Sequence, residues 1–393
     1  MWQGARDGGA TMSGMGSMSP GARTAVRRYS WMNGMWQGFK DGGAAMLESG
    51  MPQNKVSITA TPQILSIIFT FLIFQTPTTL LASPGSTHYT PFETRDQNVF
   101  NLIHGQALPT NARLKQKSQS AWSNSLIITN ELINESSNTE SIALDYESYR
   151  FNLSYQYGIN ENWNIKLDIP IIYQSGGFFD SAIDNWHQFF GLPRANRPFV
   201  ENNQYTISYS KQNQNLIDLN ESSTTMGDIQ VAVARSIIEN EQTTVSLWGS
   251  LKLPTGDEDK LGGSGATDLS LWLALNQQLA DTWLININTG AVILGNDQYQ
   301  SIPLSDYAFY GHIMLGWLAN ENFDIKIQLQ GHTSYYEDSQ LRAIGNTYIA
   351  TFGTSININQ CNQLDIAISE DIKVDASPDA SLLINWRNTS GCH

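Results

Sequence analysis

The run Gly265–Leu294, GATDLSLWLALNQQLADTWLININTGAVIL, decides the fold class of this chain. Leu269, Leu271, Leu273 and Leu275 fall on one face of it, and Ser270, Trp272, Ala274 and Asn276 on the other, which is the period-two alternation of a strand. After Gln277-Gln278-Leu279-Ala280-Asp281-Thr282 the alternation resumes, with Ile285, Ile287, Thr289, Ala291 and Ile293 opposite Asn286, Asn288 and Gly290. So short a connection forces an antiparallel hairpin.

Variants of this unit recur from about residue 119 onward. Strands are expected near 119–131, 141–158, 162–173, 226–238, 243–253, 267–279, 283–294, 306–319, 322–334, 345–359, 363–371 and 380–387, an even set of about twelve. Tight links at 158–162, 239–242, 278–282, 319–322 and 360–362 alternate with longer ones at 131–140, 174–225, 254–266, 295–305, 335–344 and 372–379. Short links at one end and long links at the other are the mark of a transmembrane, antiparallel up-and-down β-barrel; a soluble sandwich does not segregate its loops in this way. The Leu269–Leu275 face then meets lipid and the tight turns face the periplasm. In the third strand Trp163, Ile165, Leu167, Ile169 and Ile171 point outward, and Asn164, Lys166 and Asp168 inward. The second strand changes phase between Ile142, Leu144, Tyr146 and Tyr149, Phe151, Leu153, Tyr155, Tyr157, so a β-bulge is expected near Glu147–Ser148.

Composition agrees with a wall between lipid and water. Charged residues make up 15% of the 393-residue chain, well under the usual quarter, and Asn, Gln, Ser and Thr fill the polar positions. A net charge of −14 with no basic stripe excludes nucleic acid as a partner. The two cysteines, Cys361 and Cys392, form no Cys/His cluster, so no metal or other cofactor is expected; they are either two thiols or one disulfide.

Ahead of the strands, residues 1–50 are rich in Gly, Met and Ala and carry a near-duplication, MWQGARDGGA at Met1 and MWQGFKDGGA at Met35, without core-forming periodicity. They read as a disordered extension or a misassigned start. Residues 51–82 read as a signal peptide, with Lys55, the apolar Ile64–Phe74 and a cleavage position after Ala82. Eleven helical residues rise only about 17 Å, too short to cross a bilayer. Residues 83–117 are a polar lead placed in the periplasm, 118–388 the barrel, and 389–393 a tail. The expected location is the outer membrane of a Gram-negative bacterium, with outer-membrane lipid, lipopolysaccharide and the barrel assembly machinery as partners.

An ordered set of motifs carries a resemblance: Arg95-Asp96-Gln97-Asn98, Leu144-Asp145-Tyr146-Glu147, His187 with Phe190-Gly191-Leu192-Pro193 and Arg197, Gly227-Asp228, Leu253-Pro254-Thr255-Gly256-Asp257, Gly263-Ser264-Gly265-Ala266-Thr267-Asp268, and Glu370-Asp371 with Ser377-Pro378-Asp379. From about Thr94 to Arg387 the chain resembles the Gram-negative outer-membrane barrel family catalogued as domain of unknown function 3187. It departs from the family pattern at Tyr146, where Gly is expected. More distantly it is similar to outer-membrane transporters of aromatic-compound degradation pathways. The resemblance implies location and fold, and no activity.

Asp145, Arg150, Lys166, Asp168, Lys252, Asp324, Lys326, Gln328, Gln330 and Asp365 are the expected lumen-lining residues. Mixed charge in a lumen lines an aqueous path or fills a narrow one with salt bridges. In the long 174–225 link, Trp186, His187, Phe189, Phe190, Arg194 and Arg197 form the candidate gate or plug, expected to fold into the barrel mouth with Phe189 and Phe190 buried. The first functional reading is a narrow channel or transporter for small solutes, without enzymatic activity; a structural or surface-interaction barrel is the alternative. A lipid hydrolase using His187 as base has no Gly-x-Ser-x-Gly motif behind it. The acidic Asp257-Glu258-Asp259-Lys260 lacks the spacing of a calcium loop.

Overall fold

A computed structural model describes residues 90–391 apart from 182–184, 186–187, 190–200 and 374–375. The expected extension and leader, and Cys392, lie outside the described residues. Among those described there are seventeen strands: β1 (Ser120–Ser136), β2 (Glu140–Asn160), β3 (Trp163–Ser175), β4 (Thr206–Lys211), β5 (Gln214–Leu219), β6 (Ser223–Met226), β7 (Gln230–Glu239), β8 (Thr243–Lys252), β9 (Asp268–Ala280), β10 (Trp283–Ile293), β11 (Gln298–Tyr299), β12 (Ile302–Pro303), β13 (Tyr307–Asn320), β14 (Phe323–His332), β15 (Thr347–Asn359), β16 (Asn362–Asp371) and β17 (Ala380–Thr389). One short helix, α1 (Val99–Leu102), precedes them.

The wall closes on itself. Each long strand pairs antiparallel with its sequence neighbour, and β1 pairs with β17 on one side and β2 on the other. β3 pairs with β7 in its first half and with β6 in its second, so β6 and β7 act as one wall strand and the barrel has twelve. The opening hairpin is β9–β10, turning at Asp281-Thr282, with Leu269, Leu271 and Leu273 exposed on the outside and Ser270, Trp272 and Ala274 buried inside.

Two expectations about β1 and β2 are corrected together. No bulge occurs at Glu147–Ser148, which face Asn130 and Thr129 in unbroken register. Ile142, Leu144 and Tyr146 are buried on the same inward parity as Ser148, Asn152 and Ser154, while Phe151 faces out. The strand keeps its geometry, and its surroundings change. Near the tight turns the outside is apolar, whereas at the other end the inside is apolar and β4 extends the sheet alongside residues 140–145. For the same reason 131–140 is not a long loop, since both strands run on to a turn at 137–139. In this added β4–β5 layer, burial and the Glu140 carboxylate that it donates to push the Tyr209 phenol up.

Outward aromatics fall into two belts. Trp122, Trp163, Trp283, Trp317 and Trp386 lie near the tight turns, with Trp283 stacked on Trp317 at 6.1 Å; Tyr149, Tyr173, Tyr307, Phe309 and Tyr348 lie toward the long links. From Phe309 to Trp317 along β13 is about 26 Å of strand, which a tilt of ~40° reduces to roughly 20 Å, close to the apolar band of a transmembrane barrel. Leu273, 47% exposed, sits in mid-band. Leu273→Arg is expected to cost about 2–4 kcal/mol of folding free energy in lipid vesicles, measured by urea titration; a loss below about 1 kcal/mol would place that face in water.

Candidate functional site

Of the polar lead expected in the periplasm, the part that the structure describes, from Thr90 on, runs through the lumen. Residues 91–107 are all buried, and those from 90 to 115 trace a hairpin along the inner wall. The first limb starts near the tight turns, where Lys326 Nζ donates to the Thr90 carbonyl at 2.8 Å and Arg387 Nη2 to that of Pro91 at 3.2 Å. Phe92 N–H donates to Gln328 Oε1 at 3.1 Å, and Gln328 Nε2 returns a bond to the Phe92 carbonyl at 3.3 Å. Glu93 pairs with Arg387 Nε at 3.3 Å and accepts from Ser123, and Asp96 meets His332 Nε2 at 2.9 Å.

At the far end α1 reverses the chain. Asn98 caps it, accepting from Phe100 N–H at 2.9 Å, and donates to Glu131 at 2.6 Å. Tyr146 accepts from Val99 N–H at 3.2 Å and donates to Glu131. Phe100 and Ile103 pack there with Leu144, Tyr209 and Tyr336 in the apolar core. Arg95 ties the two limbs, donating to the carbonyls of Leu102 (2.6 Å), His104 (2.8 Å) and Gln106 (2.6 Å), which satisfies acceptors left free where α1 ends.

The return limb descends along β8, β9, β10 and β3. Lys252 Nζ donates to the Ile103 carbonyl at 2.9 Å, and also meets Asp228 at 2.5 Å, Asp268 at 3.3 Å and Ser264. Gly105 N–H donates to Asp268 Oδ2 at 2.8 Å and its carbonyl accepts from Ser270 Oγ at 2.6 Å. Thr110 is held by Asn288 and by Trp272 Nε1, which donates to its hydroxyl at 2.9 Å. Lys115 reaches Asn164 back at the turn end, so the hairpin enters and leaves by the same mouth. Among the described residues, no backbone-to-backbone hydrogen bond joins 90–115 to a wall strand.

The expected lumen residues take the following places. Lys166, Asp168, Lys252, Asp324, Lys326, Gln328, Gln330 and Asp365 are buried on the inward face, with Lys166 and Asp168 paired at 3.1 Å. Arg150 shares the inward parity of Asn152 and is half-buried. Asp145 does not line the lumen. It lies on the opposite face from Leu144 and Tyr146, beside Thr206 of β4, because the predicted phase shift is absent. Trp186, His187, Phe190, Arg194 and Arg197 lie outside the described residues, and so does the hydrolase reading that rests on His187. Phe189, expected in the barrel mouth, is 82% exposed. The space it was to fill is taken by α1 and its flanks. Sequence reasoning missed Glu93, Arg95, Asp96, His104, Asp228, Asp268 and Arg387; the signal available was the Arg95–Asn98 motif, whose charges have no place in a mobile tail.

A family model described as a protein of unknown function, DUF3187, matches residues 69–388. The chain belongs to that family. No curated protein matches the sequence. Among solved structures the COG4313 outer membrane channel from Pseudomonas putida F1 is similar at 11% identity and a TM-score of 0.50, covering 72% of this chain and all (100%) of that one. Fainter likenesses include the KdgM porin (5% identity, TM-score 0.37, 68% of this chain and 98% of that) and the Ralstonia pickettii toluene transporter TbuX (8%, 0.35, 71% and 90%). At these identities the likeness bears on the fold, and the fold of this DUF3187 member is that of outer-membrane barrels.

Proposed function

We propose that this DUF3187 protein is an outer-membrane channel for small solutes, closed by its own residues 90–115 and opened when they withdraw. One observation carries the reading. A polar, charged inner wall is bonded to a segment that shares no ladder with it and whose two ends leave by one mouth, so withdrawal breaks no bond of the wall. A barrel that needed only filling is stabilised more simply by apolar side chains, because each buried ion costs several kcal/mol of desolvation that its partner only offsets. The two aromatic belts and the apolar band between them support the outer membrane of a Gram-negative bacterium as its place, with the tight turns in the periplasm.

The test uses the whole chain. A protease site is introduced at the exposed Gln116-Lys117-Ser118, the protein is refolded into planar bilayers, and current is recorded before and after cutting and washing out the released segment. The uncut protein is expected to be closed most of the time and the cut, washed protein to carry a sustained current at least tenfold larger. No current in either state would leave the structural-barrel reading standing.

A further inference from the structure

The wall holds the plug mostly by its main chain, and at four places by both polar groups of a single residue. Gln328 takes the N–H and the carbonyl of Phe92, at 3.1 and 3.3 Å. Asn288 takes those of Thr110, at 2.8 and 3.1 Å, and Asn164 those of Lys115, at 2.8 and 2.9 Å. At Gly105 the same task is divided between Asp268 and Ser270. In an extended chain the N–H and C=O of one residue point to the same side, which is how paired strands exchange two bonds at a time. A carboxamide, with one donor and one acceptor on a rigid plane, matches that pair. These side chains therefore do for an extended segment what a sheet edge does in strand addition.

The return limb shows the arrangement as a track. Gly105, Thr110 and Lys115 are gripped at every fifth residue, the chain bends at 112–113 between the last two, and Asn276 adds a bond of 3.5 Å to Ala112 N–H at that bend. At Gly105 and Lys115 the grip on N–H and C=O takes no account of the side chain, whereas at Thr110 the hydroxyl is held as well, donating to Asn288 and accepting from Trp272 at 2.9 Å each. At Gly105 a side chain is excluded, since a Cβ there would come within 2.6 Å of Asp268 Cβ.

We propose that the lumen is a binding site for the main chain of extended peptides, that residues 90–115 are its resident occupant, and that short peptides are the solute class. The assignment of a solute rests on the channel reading; the binding site does not. When the plug withdraws, Asn164, Asn276, Asn288 and Ser270 are left facing water in the spacing that fits an incoming peptide. Binding satisfies the same donors and acceptors that the plug satisfied, so plug and peptide exchange for one another.

Exchange is measured on the refolded chain cut at 116–118, and again on full-length Gly105→Val, in which the resident segment is displaced by its own added side chain. The probe is a fluorescent synthetic peptide of sequence 103–115. A competitor with unrelated side chains at every position except Gly105 and Thr110 is expected to displace it within tenfold of the unlabelled parent. The same peptide N-methylated at residues 105, 110 and 115 is expected to be at least 30-fold weaker, and Asn288→Asp, which keeps the shape and loses the donor, to weaken the parent about tenfold. A linear oligosaccharide of matched length is expected not to compete. The proposal is overturned if the N-methylated peptide competes as well as the parent, if the oligosaccharide does, or if no peptide binds either protein. Current through the washed protein without peptide binding overturns this assignment and leaves the channel; binding without current does the reverse.

Discussion

Replacing Lys252 by methionine is expected to destabilise the protein by about 3–5 kcal/mol, the loss typical when one partner of a buried ion cluster is removed. The ammonium is 2% exposed and lies 2.5 Å from Asp228 and 3.3 Å from Asp268, whose side chains are nearly as buried. Without it two carboxylates face each other in a region closed to water. The damage spreads through three parts of the molecule. Asp228 also accepts from the N–H groups of Thr255, Gly256 and Ser264, which gives the long link after β8 its shape. Asp268 accepts from Gly295 at 2.9 Å and from Gly105, so it joins the next loop to the plug. Lys252 itself holds the Ile103 carbonyl. Denaturant titration in detergent gives the loss. Adding Asp228→Asn and Asp268→Asn to Lys252→Met is expected to recover a large part of it, because neutral amides keep acceptors for the same N–H groups without the unpaired charge. A single variant losing less than about 1 kcal/mol would show that the cluster is open to solvent.

The wall was legible because a membrane imposes period two on every strand that crosses it. The ends of β9, β10 and β13 fall within a residue or so of where alternation places them. Legibility failed where the two faces exchange environments. Ile142, Leu144 and Tyr146 look like a shifted register because hydrophobicity reports what a face touches, and above the membrane the inner face of β2 packs on α1 and the apolar core while β4 extends the sheet at its edge. Asp145 was misassigned by the same inversion. The plug was illegible for a different reason. Its main-chain contacts at Phe92, Gly105, Thr110 and Lys115 use groups that every residue has, so no periodicity records them. The complementary signal lies in the wall, where Asn164, Asn276, Asn286, Asn288 and Gln328 occupy inward positions that water alone does not require to be amides. Lys326 and Lys252 were readable as inward, but not as bonded to a chain segment more than a hundred residues away.

Gly105→Val is expected to open the channel while leaving the wall intact. A Cβ at Gly105 meets Asp268 Cβ at 2.6 Å and Lys252 Cβ at 3.3 Å. Those two residues face each other across the β8–β9 ladder, so neither can retreat without breaking the sheet. The plug has no ladder to hold it and must move instead, giving up the Gly105 bonds to Asp268 and Ser270. Overpacking costs about 1–3 kcal/mol and each lost hydrogen bond about 1 kcal/mol, so seating weakens by roughly 3–5 kcal/mol. At 1.4 kcal/mol per factor of ten, that multiplies the open-to-closed ratio by on the order of a hundred or more. Single-channel recording of the full-length variant is expected to show long openings where the parent is mostly closed, with unchanged far-UV circular dichroism. Lys252→Met opens the channel too, but it also disorders the link after β8. The valine removes no bond within the wall, so a current equal to that of the parent would mean that residues 90–115 do not close the pore.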